Sequence, residues 1–267
     1  YYPFNGNAND ESGNSRNLAI PSDDLQTPSL TIDRFGNVDS AYFFDGDNDT
    51  LEHSTNIPTL TNYTISLWAQ PKSGSQWESV FSSRSGTDNN KGFQIDSDSS
   101  SGFRVVTKDG TNLNLGTYYL NEWYLITITV DSSSGKTSGF LNGVFIDNVD
   151  SVSNTTYFDG FRIGRNRNGN AFFNGIIDDV KIYNKALSAI EMLESFINDQ
   201  KKVLPCSAFL DGEYGVSDLC VGVPVRIGSN GVEEIIKLNL TKDEEIQFKN
   251  SVNAVRDLTD KCKKLLV

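Results

Sequence analysis

A chain of 267 residues with 35 acidic against 23 basic side chains, net charge −12, repels nucleic-acid phosphates and offers no basic stripe to an anionic membrane. No apolar run nears the ~18 residues of a membrane span and no series reads as a signal peptide, while a chain opening on Tyr1 is expected to have been trimmed. The length exceeds the ~100–200 residues of an ordinary domain, so two domains are expected.

From Tyr1 to Leu187, short runs of period-two alternation are separated by clusters of Gly, Asn, Asp and Ser, the pattern of many antiparallel strands. In NYTISLWAQP, Tyr63, Ile65, Leu67 and Ala69 share one face, with Trp68 assigned to a core; in WYLITITVD, Tyr124, Ile126, Ile128 and Val130 share one face and Thr127 and Thr129 the other. Asn142-Gly143 within FLNGVFI tolerates the positive φ angles of a type I′ hairpin turn. SSRSGTDNNKG, DSDSSSG and DSSSGKTSG hold too little apolar surface for strands and read as loops. Many short strands with turns at roughly ten-residue spacing predict an antiparallel sandwich or jelly roll.

After Leu187 the pattern changes. Ser188 and Glu191 form a capping box ahead of Ile190, Leu193, Phe196 and Ile197 at helical spacing. KVLPCSAFL, LCVGVPVRIG and VEEIIKLNL then read as strands, and Thr241 with Glu244 repeats the capping box before Phe248, Val252, Val255, Leu258 and Cys262. Residues 188–267 are therefore expected to be a small α+β unit of order α-β-β-β-α, behind a mainly β domain over 1–187. Its apolar helix face is expected to pack on the sheet, on the first domain or on a second subunit as a homodimer. Cys206, Cys220 and Cys262 all fall in this unit; an odd, unevenly placed set makes no disulfide framework, and buried free thiols are expected.

Two family resemblances follow from these motifs. YYPFNGNANDESGNS, AYFFDGDNDTLE, YTISLWAQP, FLNGVFI and FRIGRNRNGNAFFNGIIDDVKIYNKALS together resemble the laminin-G-like, concanavalin A-like jelly-roll domains over residues 1–187. Leu125 departs from the pattern, since the family often places histidine there. SAIEMLESFINDQKKVLPCSAFLDGEYGV, VGVPVRIG, GVEEIIKLNLTKDEE and SVNAVRDLTDKCKKL resemble the C-terminal end of lactate-dehydrogenase-like malate dehydrogenases. That likeness covers about the last quarter of such an enzyme. The glycine-rich dinucleotide fingerprint and the catalytic part lie outside it, so neither NAD binding nor dehydrogenase activity is expected.

The candidate sites carry different chemistries. Asp45, Asp47 and Asp49 mimic the opening of an EF-hand, but Thr50 stands where that loop needs glycine and Asn56 where it needs glutamate. In GIIDDVKIY, alternation places Ile176, Asp178, Val180 and Ile182 on one face and Ile177, Asp179, Lys181 and Tyr183 on the other, so each face carries one aspartate that needs a cation, donor or partner. The jelly-roll resemblance implies a structural Ca²⁺ there, with oxygen ligands from Asp178, Asp10 and the loop around Asn14. For glycan recognition, GRNRNGN concentrates Arg165, Asn166 and Arg167, and Trp77, Tyr118, Tyr119, Arg84 and Arg104 lie in or beside loops; the plain alternative for GRNRNGN is a solvated hairpin end. No paired-carboxylate strand of the glycosidase type occurs, and His53, the one histidine, sits inside the jelly-roll pattern, so no catalytic residue is assigned. The expected function is a non-catalytic, lectin-like domain for a glycan or an extracellular protein partner, at or outside the cell surface. The alternative is an assembly module without a small ligand.

Overall fold

The computed structural model describes residues 1–53, 60–83, 92–98, 102–107, 112–150, 160–188, 191–192, 202–228, 231–238 and 240–265. Its strands, in chain order, are β1 (Ser29–Thr31), β2 (Ala41–Asp45), β3 (Leu51–His53), β4 (Asn62–Pro71), β5 (Ser79–Ser82), β6 (Gln94–Ser97), β7 (Gly102–Val106) and β8 (Asn112–Thr117). They continue with β9 (Tyr124–Asp131), β10 (Lys136–Leu141), β11 (Val144–Val149), β12 (Phe161–Ile163), β13 (Asn174–Tyr183), β14 (Lys202–Asp211), β15 (Ser217–Gly228) and β16 (Gly231–Ile235), and helix α1 spans Lys242–Leu265. The chain divides into two units, Tyr1–Ser188 and Ala189–Val267.

The first unit is an antiparallel jelly-roll sandwich. Its sheets run β1-β2-β13-β4-β9-β10-β11 and β3-β12-β5-β6-β7-β8. The alternation read from the sequence sets the inner faces: Ile65, Leu67, Ala69, Ile126, Ile128 and Val130 are fully buried against Phe81, Ile95, Val105 and Leu115 of the facing sheet. Each of these side chains larger than alanine contributes about 1.5–3 kcal/mol on leaving water. A row of rings crosses the core, Tyr63 to Phe93 at 6.0 Å, Phe93 to Phe81 at 5.6 Å and Phe81 to Phe161 at 5.3 Å. His53 belongs to this interior: it is buried in β3 with its ring 5.7 Å from that of Phe161. The β10–β11 hairpin closes through Asn142 and Gly143, both with positive φ, as Asn-Gly requires.

Strand β13 departs from the expected alternation. A β-bulge lies between Asp178 and Lys181, and Asp179 takes a φ of 49°. Ile177, Val180 and Ile182 therefore all join the inner core, while Asp178, paired with Trp68 across β4, lies on the outer face. The two aspartates thus do not lie on opposite faces. Both reach the Arg34 guanidinium, whose Nη1 donates to Asp178 Oδ2 and Nη2 to Asp179 Oδ2. Arg34 itself lies over Trp68, 4.8 Å from its ring, and over Phe35 at 4.3 Å. Trp68 is thus a half-buried outer platform under a guanidinium and not part of the core.

In the second unit β14-β15-β16 form an antiparallel sheet. Ala208, Leu210, Leu219, Val221, Val223 and Val225 line one face of it, with Phe248, Val252 and Val255 of α1 packed against that cluster. Phe248, Val252 and Val255 are therefore partnered within their own unit, as one of the three expected packings requires. Thr241 and Glu244 make both bonds of the predicted capping box, Thr241 N to Glu244 Oε2 at 2.8 Å and Glu244 N to Thr241 Oγ1 at 3.4 Å. The helix expected from Ser188 lies largely outside the described residues. Cys220 is exposed rather than buried, because Leu219 and Val221 take the inner face of β15.

Candidate functional site

A cavity of about 450 Å³ opens where β3 and β12 meet the N-terminal segment. Glu52 sits mid-strand in β3, opposite Arg162 of β12, with Ala19 bridged to its other side. The backbone bends at Gly164, whose φ of +85° and near contact with the Phe44 ring leave no room for a Cβ. Arg165 follows at the base of a hairpin closed with Phe172, and its Nε donates to Glu52 Oε1 at 2.6 Å. Thr50 supports the floor, its amide donating to Gln26 O at 3.2 Å and its hydroxyl to Ile163 O at 3.4 Å.

Polar and apolar groups alternate around the opening. Gln26, Asn48, Thr50 and the Arg165–Glu52 pair face it with Ile20 and Phe172. Asn48 Oδ1 is buried and accepts no hydrogen bond. Planar donors and acceptors beside apolar walls are the equipment for holding a ring that has hydroxyl edges and C–H faces.

The residues singled out by sequence have separate fates. Arg165 lines the cavity; Asn166 shapes the hairpin, its Oδ1 accepting from the amides of Asn168 at 3.1 Å and Asn170 at 3.2 Å. Arg167 is half-buried in the same hairpin, with Nη1 buried and unpartnered. Trp77 is 53% exposed in the β4–β5 connection. Arg84 lies outside the described residues. Arg104 is committed to Asp96, with Nε to Oδ1 at 2.6 Å, and Tyr118 is a buried side chain whose hydroxyl donates to Ser73 O. Reasoning from sequence missed Glu52, Asn48, Gln26 and Phe172, which are gathered by non-local contacts such as that of Glu52 with Arg165, 113 residues on.

The residues expected to hold a Ca²⁺ have protein partners of their own. Asp178 is engaged by Arg34; Asp10 accepts from the amides of Ser12 at 3.0 Å and Arg16 at 3.1 Å, and Asn14 donates to Ser12 Oγ at 2.8 Å. Among the described residues no three Asp, Glu, His or Cys side chains gather as a metal cluster. Burial and the neighbouring Asp179 carboxylate push the Asp178 carboxyl up to about 8, against the pull of Arg34.

Comparison with known proteins agrees with the division of the chain. The family model for the concanavalin A-like lectin/glucanases superfamily matches residues 44–192, and that for the lactate/malate dehydrogenase α/β C-terminal domain matches residues 181–266. A malate dehydrogenase of Roseobacter denitrificans is 47% identical over 102 residues, 38% of this chain and 32% of that enzyme, so the chain spans about a third of the length of such a relative. Domain 4 of an extracellular GH43 arabinanase from Geobacillus stearothermophilus, solved with arabinotriose, superimposes with a TM-score of 0.52 at 18% identity over 72% of this chain and 93% of that one. The binding domain of botulinum neurotoxin serotype D gives 0.54 at 17% identity, over 74% of this chain and 51% of that one. At such identities the likeness is one of fold. Through its jelly roll the chain belongs to the concanavalin A-like lectin/glucanases superfamily, followed by a segment similar to the lactate/malate dehydrogenase C-terminal domain.

Proposed function

We propose that the jelly-roll unit is a non-catalytic, lectin-like domain that binds a saccharide in the cavity beside Arg165, at or outside the cell surface, and that the dehydrogenase-like segment turns over no substrate. The cavity carries this reading, because it joins the side chains of Asn48 and Gln26, a fixed Arg165–Glu52 pair and the apolar side chains of Ile20 and Phe172 in one opening. The arabinanase domain, bound to arabinotriose, supports the same use of the fold. For the tail, a stretch equivalent to about a third of a malate dehydrogenase supports the absence of activity, and no G-x-G-x-x-G precedes a helix in the chain. A glycan array with wild type and Arg165→Ala tests the binding, with binding lost in the variant as the expected result. No sugar bound by wild type would overturn it. Unchanged NADH fluorescence on titration is expected of the tail, and NADH-dependent enhancement would refute its inactivity.

A protein partner is the second reading. It is favoured by β11, a sheet-edge strand on which Val144, Phe145 and Ile146 are all exposed. Capture of a single protein by wild type, with no sugar binding, would select it.

A further inference from the structure

We infer that the cavity beside Arg165 is the inner end of a longer saccharide site, with Trp77 and Tyr119 as platforms for outer units of an oligosaccharide; this rests on the saccharide reading above. The loops concerned are tied together at one end of the sandwich. Gly164, next to Arg165, donates its amide to Val80 O at 3.0 Å. Trp77 lies three residues before Val80, in the turn that leads into β5. Phe173 N returns to Gly164 O at 2.8 Å, and Asn174 O then accepts from Lys72 N at 2.9 Å. Lys72 Nζ in turn donates to Asn121 Oδ1 at 3.0 Å, and Tyr118 to Ser73 O, which fixes the turn carrying Tyr119 beside the loop carrying Trp77. Cavity wall, Trp77 loop and Tyr119 turn are therefore braced side by side.

Within that brace the aromatic side chains are held outward. Tyr119 is 77% exposed, although its neighbour Tyr118 is buried and its own amide is anchored by the Tyr124 hydroxyl at 2.8 Å. Trp77 is fixed on both sides, its amide on Ser97 O at 2.9 Å and the amide of Glu78 on Ser97 Oγ at 2.9 Å. It also holds a φ of 68°, a left-handed conformation that a bulky side chain seldom adopts. Such an exposed indole on a braced backbone costs the fold apolar burial, and it offers a flat face on which the C–H side of a sugar ring can stack. Neither Trp77 nor Tyr119 lines the cavity, so a ligand that fills it and also stacks on them extends beyond one ring.

Calorimetric titration with arabino-, xylo- and cello-oligosaccharides of increasing length tests this. Affinity is expected to rise about tenfold from the disaccharide to the longer members of the series bound, the order of one aromatic contact. Trp77→Gly, which also relieves the backbone, should flatten that dependence of affinity on length. Arg165→Ala should weaken every length. Indole fluorescence gives a readout that loop collapse would not mimic, shifting in wild type only with the longer probes. An affinity independent of length, or a Trp77→Gly variant that keeps the rise, would overturn the extended site and leave the cavity reading standing. Failure of every probe to bind wild type, or binding that Arg165→Ala leaves unchanged, would overturn both.

Discussion

Replacing Asp178 by asparagine should stabilise the protein at neutral pH. The carboxyl side chain of Asp178 is 3% exposed, shares Arg34 with Asp179, and is pushed up to about 8 by burial and that second carboxylate. Because its pKa is higher folded than unfolded, its contribution is fully present below the unfolded value near 4 and is lost as pH rises through 8. Each pH unit in this window removes up to about 1.4 kcal/mol, which makes an upper bound of about 4 kcal/mol at pH 7. Asparagine mimics the protonated acid, keeps an acceptor for Arg34 and does not titrate. Thermal unfolding of wild type and Asp178→Asn in calcium-free buffer from pH 4 to 8 is the assay. The curves should meet near pH 4 and diverge upward, with the variant more stable by up to roughly 8–16 °C at pH 7 at about 2–4 °C per kcal/mol. Parallel profiles, or a variant less stable throughout, would show that the carboxylate is charged and that its ion pair with Arg34 outweighs burial.

Three other outcomes follow from the same structure. Gly164→Ala should cost about 3 kcal/mol in urea unfolding, from a Cβ placed 2.2 Å from the Phe44 ring at a φ of +85°; a loss under about 1 kcal/mol would mean that the bend before Arg165 can relax. Val252→Ala should cost about 2 kcal/mol and speed hydrogen exchange in β14 to β16 and α1 while sparing β4 and β9. Equal acceleration in both units would contradict their separate cores. Millimolar calcium should move the melting temperature by less than about 1 °C, because Arg34 already engages Asp178; a rise that vanishes in Asp178→Ala would restore a calcium site at β13.

The framework of the jelly roll was legible because it rests on local rules. Period-two alternation identified the buried faces of β4 and β9, and Asn142-Gly143 and the Thr241–Glu244 box behaved as isolated turns and caps do. Alternation failed at β13, where one bulge moved Val180 inward and left Asp178 and Asp179 reaching the same guanidinium. Nothing local marks that bulge, since Asp179 is not a glycine. Trp68 misled for a related reason: its apolar character suggested a core, yet its place in β4 is out of phase with Ile65, Leu67 and Ala69, and Arg34 covers it. Of the candidate site, GRNRNGN was visible as a concentration of planar polar groups. Its partners Glu52, Asn48 and Gln26 come from other parts of the chain and are assembled by register alone.

The position of β13 bears on how the protein can be made. The last strand of the jelly roll lies between β2 and β4, so until Tyr183 has left the ribosome both of those neighbours have edges waiting for it. An antiparallel sandwich with such distant pairings closes in milliseconds to seconds. The unit from Ala189 to Val267 takes on the order of 4–16 s to translate at about 5–20 residues per second. Whatever chemistry it has kept or lost, the dehydrogenase-like segment therefore gives β13 time to insert while the chain is still tethered and held apart from its neighbours.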